Sequence, residues 1–419
     1  MHAVHDAPIV PITGAQKVNQ NSETNAGPTY SIALGYLRAF IILLVLAHHA
    51  VLAYHPYAPP PSAKFDAQPL MWPVFPIVDS QRLRGIDFFV GFNDTFFMSL
   101  MFFLSGVFAW PSLSRKGSGQ FLKDRLLRLG FPFVVSAAVL APLAYYPAYR
   151  VTGADPSLAA FWKQWVSLSM WPSGPAWFIW VLLAFGCIAA GLYRLTPKWG
   201  ELLGRVAATG SRSPFAFYVL IVFISAVAYI PMSLWFDPMR WISFGPFSFQ
   251  VSRLLHYAVY FVLGIGIGAY GVERGLVESS GKLARRWPLW MLSSLLLFGV
   301  SIIAVLTMIS AMLKGAIPLG LKLSVSFAFV LSCAASVFAF LALFLRFARR
   351  RVPLLDRLSN NSYGMYLLHY IFVTWLQFAL LRALLPAAAK ASIVFLGAVA
   401  LSWVATAALR RVPYLGRVL

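Results

Sequence analysis

One arginine and two histidines share the first long apolar stretch of this chain, which runs from Ser31 to Tyr54. Ionisable side chains inside a membrane-spanning helix cost about 2.5–3.5 kcal/mol or more each, and they usually mark a functional site. His48 and His49 are suited to general base chemistry, because the unperturbed pKa of histidine is about 6.5. The pattern therefore predicts proton transfer on this helix, with Arg38 as a nearby cation.

Arg38 and His49 are eleven positions apart. At 1.5 Å per helical residue this is about 16 Å, so the cation lies near one membrane face and the base nearer the other. Two plainer alternatives stay open. In the first, Arg38 is an interfacial arginine whose guanidinium group reaches the membrane surface. In the second, the histidines are packing residues with satisfied hydrogen bonds.

The second apolar stretch supplies carboxylates, Asp87 at its start and Asp94 further in. If this stretch runs antiparallel to the first helix, Asp94 lies about 10 Å below the outer boundary, at a depth similar to that of His49. A carboxylate at that depth can orient a histidine and stabilise its protonated form. The alternative is an interfacial cap or an unrelated buried hydrogen bond.

A basic segment follows the second stretch and contains Arg125 and Arg128. Residues three apart share a face of a helix, and paired guanidinium groups suit phosphates. The alternative is the ordinary excess of positive charge on the cytoplasmic side. Just before this segment, Ser105 and Gly106 permit a close approach of another backbone.

A third group of polar residues opens the ninth apolar stretch. Tyr363, Tyr366 and His369 follow one another at a spacing of three, so they line one stripe of a helix. In a bilayer such a stripe faces protein or a water-filled cavity. Hydrogen bonding between helices is the structural alternative.

The composition indicates an integral membrane protein. Of the 419 residues 60% are hydrophobic and only 11% are charged, against roughly 25% charged residues in soluble domains. The net charge of +21 does not indicate nucleic acid binding, because the basic residues lie in short loops between apolar stretches. Cys187 and Cys333 fall inside predicted helices, which favours core packing over a disulfide or a metal site.

Ten apolar stretches are long enough to cross a membrane, which predicts an all-α, polytopic membrane helix bundle with about ten transmembrane helices. The predicted spans are 32–54, 88–110, 128–149, 175–195, 214–235, 252–271, 288–309, 319–345, 361–382 and 389–409.

Charge counting gives an orientation. One alternate set of connections carries 21 lysines and arginines and the other set 11, which places the first set and both termini in the cytoplasm. We therefore expect a disordered cytoplasmic tail at 1–30, a transmembrane domain at 31–410 and a cytoplasmic tail at 411–419. The proline-rich segment from about His55 to Ile86 is long for a connector, so it is either a lid or an ordered surface loop.

Taken together, these motifs resemble the membrane-bound acyltransferase-3 family, which includes glycan O-acyltransferases such as glucan succinyltransferase-like proteins. The resemblance runs from about Tyr30 to Leu409. It is carried by Arg38 with His49 after ten intervening residues, by Arg125 and Arg128, by Ser105 and Gly106, and by the segment from Ser362 to His369.

The resemblance implies a multi-pass enzyme of the bacterial inner membrane that transfers an acyl group, acetyl or succinyl, from cytoplasmic acyl-CoA. The acceptor would be a hydroxyl of an envelope or secreted glycan, or of a lipid-linked saccharide. Acyl-CoA would be a co-substrate, with no permanently bound cofactor and no metal. A homodimer is left open.

The resemblance also implies residue roles. His49 would be the catalytic base. His48 is adjacent and could face the site instead, but the spacing from Arg38 favours His49. Arg38, Arg125, Arg128 and Ser105 would bind the donor, and Asp94 would assist the base. Tyr363, Tyr366 and His369 would line the channel. The rival function is a secondary transporter or flippase for an anionic or glycan substrate, which would use the same intramembrane groups as relay or substrate sites.

Overall fold

The computed structural model describes residues 31–418, which fold as a helical bundle with one β-hairpin. The predicted tail at 1–30 lies outside the described residues. The helices are α1 (Ile32–Leu52), α2 (Ile86–Arg125), α3 (Phe131–Val135), α4 (Ala141–Val151), α5 (Leu158–Ser167), α6 (Trp177–Leu195), α7 (Trp199–Arg212), α8 (Pro214–Phe236), α9 (Val251–Tyr270), α10 (Lys282–Arg285), α11 (Trp287–Leu313), α12 (Leu319–Phe347), α13 (Pro353–Leu380) and α14 (Ala387–Leu409). Strands β1 (Trp241–Phe244) and β2 (Phe247–Gln250) pair antiparallel, with Trp241 opposite Gln250.

Eight helical segments of the described chain are long and apolar enough to cross a membrane, so this is a multi-pass membrane protein. One of the eight, Ile86–Val151, is 66 residues long and contains both of the predicted spans 88–110 and 128–149. Helix α13 covers most of the predicted span 361–382, but it is not among the eight. Its polar stripe accounts for that difference, because it lowers the mean hydropathy of a helix that is otherwise long enough.

The connection predicted between the second and third spans is helical in the structure. Helix α2 continues through it, interrupted at Gly117, whose φ of 73° is left-handed. Two π-helical turns follow, at Leu126–Gly130 and Ser136–Leu140. A π-turn advances each residue by a smaller angle than an α-helix does, so it changes which side chains share a face.

Hydrogen bonds bring several connections together at the end of the bundle where α1 begins, here called the basic end. Tyr36 of α1 donates to a carboxylate oxygen of Asp356 at the start of α13, at 2.9 Å. Arg349, which follows α12, donates to the carbonyl of Ser279, in the connection after α9, at 2.8 Å. The start of α1, the basic connection between α12 and α13 and the basic connection after α9 therefore meet at one end.

The segment 53–85 is ordered at the opposite end of the bundle. Asp79 receives a 2.7 Å salt bridge from Lys390 of α14, and both side chains are only 1% exposed. The backbone N–H of Asp79 donates to the carbonyl of Ala53, and that of Leu83 to the carbonyl of Tyr54. The segment is thus fastened to α1 and α14 and covers this end of the bundle.

Glycines permit the close crossing of α2 and α9. A Cβ atom added to Gly106 would lie 2.1 Å from the carbonyl oxygen of Phe261. A Cβ added to Gly264 would lie 2.2 Å from that of Phe103. Real side chains do not tolerate such distances, so these two backbones can touch only because both positions are glycine. Small residues serve the same purpose at helix contacts in membranes generally.

Helices α1 and α13 run parallel and in contact. Ser359 of α13 donates to the carbonyl of Gly35 near the start of α1, at 3.2 Å. Near the other end, the Gln377 side chain donates to the carbonyls of His49 and Ala50, at 2.9 and 3.1 Å. These bonds fix the height of His49 relative to the polar stripe of α13.

Candidate functional site

The ring of His49 is oriented by its own helix. Its Nδ1 lies 2.8 Å from the carbonyl oxygen of Val45. A carbonyl can only accept, so in the neutral ring Nδ1 carries the proton and Nε2 keeps a lone pair. Within the described chain no hydrogen bond occupies that Nε2. A histidine held in this tautomer is ready to take a proton.

His369 of α13 faces His49, with the two ring centroids 5.2 Å apart. Its Nδ1 lies 2.6 Å from the carbonyl of Tyr366, which again leaves Nε2 as the acceptor of the neutral ring. That Nε2 is buried and has no partner among residues 31–418. Tyr370 packs edge-on against His49 at 5.1 Å, so α13 supplies two of the walls around the His49 ring.

His48 points to a different neighbour. Its ring stacks on Phe97 of α2 at 5.4 Å, and its buried Nδ1 has no partner in the described chain. The adjacent histidines therefore serve different interfaces, with His49 against α13 and His48 against α2. This follows from the 100° turn between consecutive helical residues.

Asp94 is paired with Arg253 of α9. The guanidinium donates to the Asp94 carboxylate at 2.6 Å and to its backbone carbonyl at 3.0 Å. The predicted contact between Asp94 and His49 is not formed in the described structure, where the Val45 carbonyl holds the His49 ring instead. The sequence does not indicate this pairing, because nothing local shows that α9 lies beside Asp94.

A cavity of about 170 Å³ lies between α1, α2, α6 and α13. It brings together five residues proposed from the sequence, together with apolar side chains that include Phe178 and Leu182 of α6. The five are Arg38, Ser105, Arg125, Tyr363 and Tyr366. The α6 residues carried no signal in the sequence, since an apolar side chain facing a cavity looks like one facing lipid.

The two arginines of this cavity have no acidic partner. Among residues 31–418, neither Arg38 nor Arg125 forms a salt bridge, and the Arg38 Nε is buried without a hydrogen bond. Arg125 also lies over the ring of Phe121 at 4.9 Å. Both residues are half-buried, and charges removed from water are normally paired, so two unpaired guanidinium groups in one cavity suit an anion.

Arg128 does not line the cavity. Its side chain is exposed, and its backbone carbonyl accepts a hydrogen bond from the Tyr363 hydroxyl. The π-turn at Leu126–Gly130 explains the difference from the sequence expectation, because it breaks the α-helical face that Arg125 and Arg128 were predicted to share. Arg128 is left outside, where it can meet only the solvent-facing part of a ligand.

Tyr366 connects the cavity with the histidines. Its side chain lines the cavity, its hydroxyl donates to the carbonyl of Pro175, and its own carbonyl holds His369. One helical turn of α13 therefore separates the arginine-lined cavity from His369 and the His49 ring that it contacts. The site has an arginine-lined part towards the basic end and a histidine-lined part beyond it.

Comparisons with known proteins identify the family of the chain. The acyltransferase-3 family model, described as an acyltransferase domain, matches residues 31–407. The chain is similar to "Glucans biosynthesis protein C" of Salmonella gallinarum, with 25% identity over 240 residues that cover 55% of this chain and 56% of that protein. The match thus spans little more than half the length of this relative. No solved structure matches. Since the family model covers most of the chain, this protein belongs to the acyltransferase-3 family of membrane-bound acyltransferases.

Proposed function

We propose that this protein transfers an acyl group, acetyl or succinyl, from cytoplasmic acyl-CoA to a hydroxyl group of an envelope or secreted glycan. The observation that carries the proposal is the arrangement along α1. Among residues 31–418 no carboxylate pairs with Arg38 in the cavity, and His49 on the same helix is held through Nδ1 with no hydrogen bond at Nε2. An acyl-CoA donor fits this order, because its negative phosphates can pair with the arginine while its reactive thioester reaches the histidine.

The basic end is the place for the donor. Connections carrying 21 lysines and arginines, against 11 on the alternate side, support a cytoplasmic position for this end and for both termini. A cavity of about 170 Å³ is small beside pockets that enclose whole drug-sized ligands. The adenosine of acyl-CoA therefore stays outside near Arg128, its pyrophosphate pairs with Arg125 and Arg38, and the pantetheine arm extends beyond them.

His49 acts on the acceptor in this proposal. Its Nε2 takes the proton of the acceptor hydroxyl as the oxygen attacks the thioester carbonyl carbon. The C–O bond forms, the C–S bond breaks, and the CoA thiolate leaves with the proton that the imidazolium returns. His369 has the same free nitrogen, and it supports the protonated His49 by lying beside it as a neutral acceptor.

The acceptor is a glycan hydroxyl that arrives from the side of the membrane opposite to the donor. Support comes from the name of the similar Salmonella protein, which places that protein in glucan biosynthesis. The inner membrane of a bacterium is the location that fits an acyl-CoA supply on one side and an envelope glycan on the other.

The test is an assay of purified protein in lipid nanodiscs with acetyl-CoA or succinyl-CoA and glucan oligosaccharides. We expect release of the CoA thiol together with an ester on the oligosaccharide, detected by mass spectrometry. Movement of glycan across vesicle membranes without consumption of either acyl-CoA would instead support the transporter. Absence of both thiol release and acyl-CoA binding would overturn the proposal.

A further inference from the structure

A second, smaller recess adjoins the site. It has a volume of about 20 Å³ and lies between α13, the second π-turn and the 3₁₀ turn at Gly174–Ala176. Tyr366 lines both this recess and the larger cavity, and Tyr370 lines the recess while packing against His49. The recess is therefore adjacent to the donor cavity and to the base.

Two serine hydroxyls in this recess have no hydrogen-bond partner. Ser136 is 4% exposed and Ser173 is 3% exposed, and both line the recess. Neither Oγ is bonded to any atom of the described chain. An unsatisfied buried hydroxyl costs about 1–3 kcal/mol, so two in one recess indicate an oxygen-bearing group that pairs with both.

The start of α6 adds a positive partial charge. Helix α6 has 19 residues, and the 3₁₀ turn that leads into it forms one wall of the recess. Ser173 is the N-cap residue of that turn, yet its side chain makes no capping hydrogen bond. The amino-terminal end of a helix favours negative charge, so the recess is suited to a negatively charged oxygen.

Size limits what can enter. A volume of about 20 Å³ accommodates roughly one or two water-sized groups, which excludes a sugar ring. The end of a short acyl chain is small enough. Tyr370 touches the His49 ring at 5.1 Å and also lines the recess, so the recess lies about one side chain away from His49.

We propose that this recess binds the far end of the transferred acyl group, and that Ser136 and Ser173 select a short chain ending in a carboxylate over an apolar chain of equal length. The assignment rests on the acyltransferase function proposed above. It makes the two serines specificity-determining residues that lie away from the reacting carbonyl.

The test compares succinyl-CoA with butyryl-CoA, which have four-carbon acyl groups that differ in the terminal carboxylate. The full chain in nanodiscs is assayed for thiol release with glucan oligosaccharides present, and the ratio of the two kcat/KM values is measured. We expect the wild type to favour succinyl-CoA. Ser136→Ala and Ser173→Ala should each reduce the ratio about tenfold, the effect of one hydrogen bond to a charged group.

Two further variants make the result specific. Ser402→Ala removes a buried hydroxyl that also lacks a partner in the described chain but lines neither cavity, so the ratio should not change. Ser173→Thr keeps the hydroxyl and adds a methyl group, so it should disfavour both four-carbon donors relative to acetyl-CoA.

An unchanged ratio in active Ser136→Ala and Ser173→Ala proteins would overturn this assignment, and the recess would then hold water only. A wild type that favours butyryl-CoA would overturn it as well. If the wild type releases no thiol from any of the three donors, the proposed acyltransferase function itself fails. The failures of the two proposals are thereby distinguished.

Discussion

At the scale of single residues, a backbone carbonyl decides which nitrogen of His49 can accept a proton. Val45 lies one helical turn before His49 and takes the Nδ1 hydrogen. The expected carboxylate partner, Asp94, is engaged with Arg253 instead. The His49 ring is therefore oriented by its own helix, and the proposed base needs no carboxylate to hold it.

Replacing His49 with alanine should reduce acyl transfer by about 10²–10⁴-fold, the usual contribution of a general base. The rate of thiol release with acyl-CoA and glucan oligosaccharides measures the effect. His55→Ala is the matched control, because His55 belongs to the segment 53–85 outside the site and should leave the rate unchanged. Full activity in His49→Ala would remove the proposed base.

The two arginines of the basic segment should respond differently to salt. Arg125 lines the cavity and Arg128 is exposed. At 1 M salt the screening length is about 3 Å, so the KM increase in Arg128→Ala should vanish, whereas the increase in Arg125→Ala should persist. Equal salt sensitivity of the two variants would contradict the different placement. The control is Arg382→Ala. Arg382 follows the end of α13 that lies away from the cavity, so this variant should leave the KM for acyl-CoA unchanged.

At the scale of elements, the site depends on helices that can approach closely. Ser105 lines the 170 Å³ cavity next to Gly106, where the backbones of α2 and α9 touch. Ser105 therefore keeps its place in the cavity wall only because the next residue is a glycine, which lets α2 and α9 touch.

The substitution Gly106→Val should destabilise the fold by about 3 kcal/mol or more, because the new side chain meets the Phe261 carbonyl and overpacking forces the backbone to shift. The loss of stability is measured as a lower temperature of thermal unfolding in detergent, monitored by size-exclusion chromatography. Gly299→Val on α11 is the control, since nothing lies within 4 Å of a Cβ added there. Equal stability of the two variants would argue against a tight crossing.

At the scale of the whole molecule, segment 53–85 closes one end of the bundle through the Asp79–Lys390 salt bridge. Asp79→Asn should destabilise the protein by about 3–5 kcal/mol, because it leaves a buried lysine without its counter-charge. Asparagine can still accept from the Gln81 N–H, so the local turn is kept. Lower thermal stability and faster proteolysis within the segment are the expected readouts.

The double variant Asp79→Leu with Lys390→Met tests the same contact without a stranded charge. Replacing both partners of a buried pair by apolar residues is often neutral or stabilising, so this protein should regain most of the lost stability. A double variant that is less stable than Asp79→Asn would show that the charges themselves are needed.

Local pattern was sufficient for several features of this protein. All ten predicted spans fall on helices, because the hydropathy of about 20 consecutive residues depends on those residues alone. The same holds for the polar stripe of α13, where spacing along one helix places Tyr363 and Tyr366 on the cavity side. Arg38 stands out as a charge in an apolar stretch, Arg125 by its spacing to Arg128 and Ser105 by its neighbour Gly106, and all three line one cavity.

Contacts between helices were decided only in the tertiary structure. Asp94 and Arg253 are 159 positions apart, and Tyr363 and the Arg128 carbonyl are 235 apart. Helix association in a membrane depends on shape fit and on interhelical hydrogen bonds, which no local window contains. The sequence by itself therefore determined which helices form and which chemical groups they carry. Only packing decided that His49 faces α13, that Arg253 takes Asp94, and that a π-turn leaves Arg128 outside.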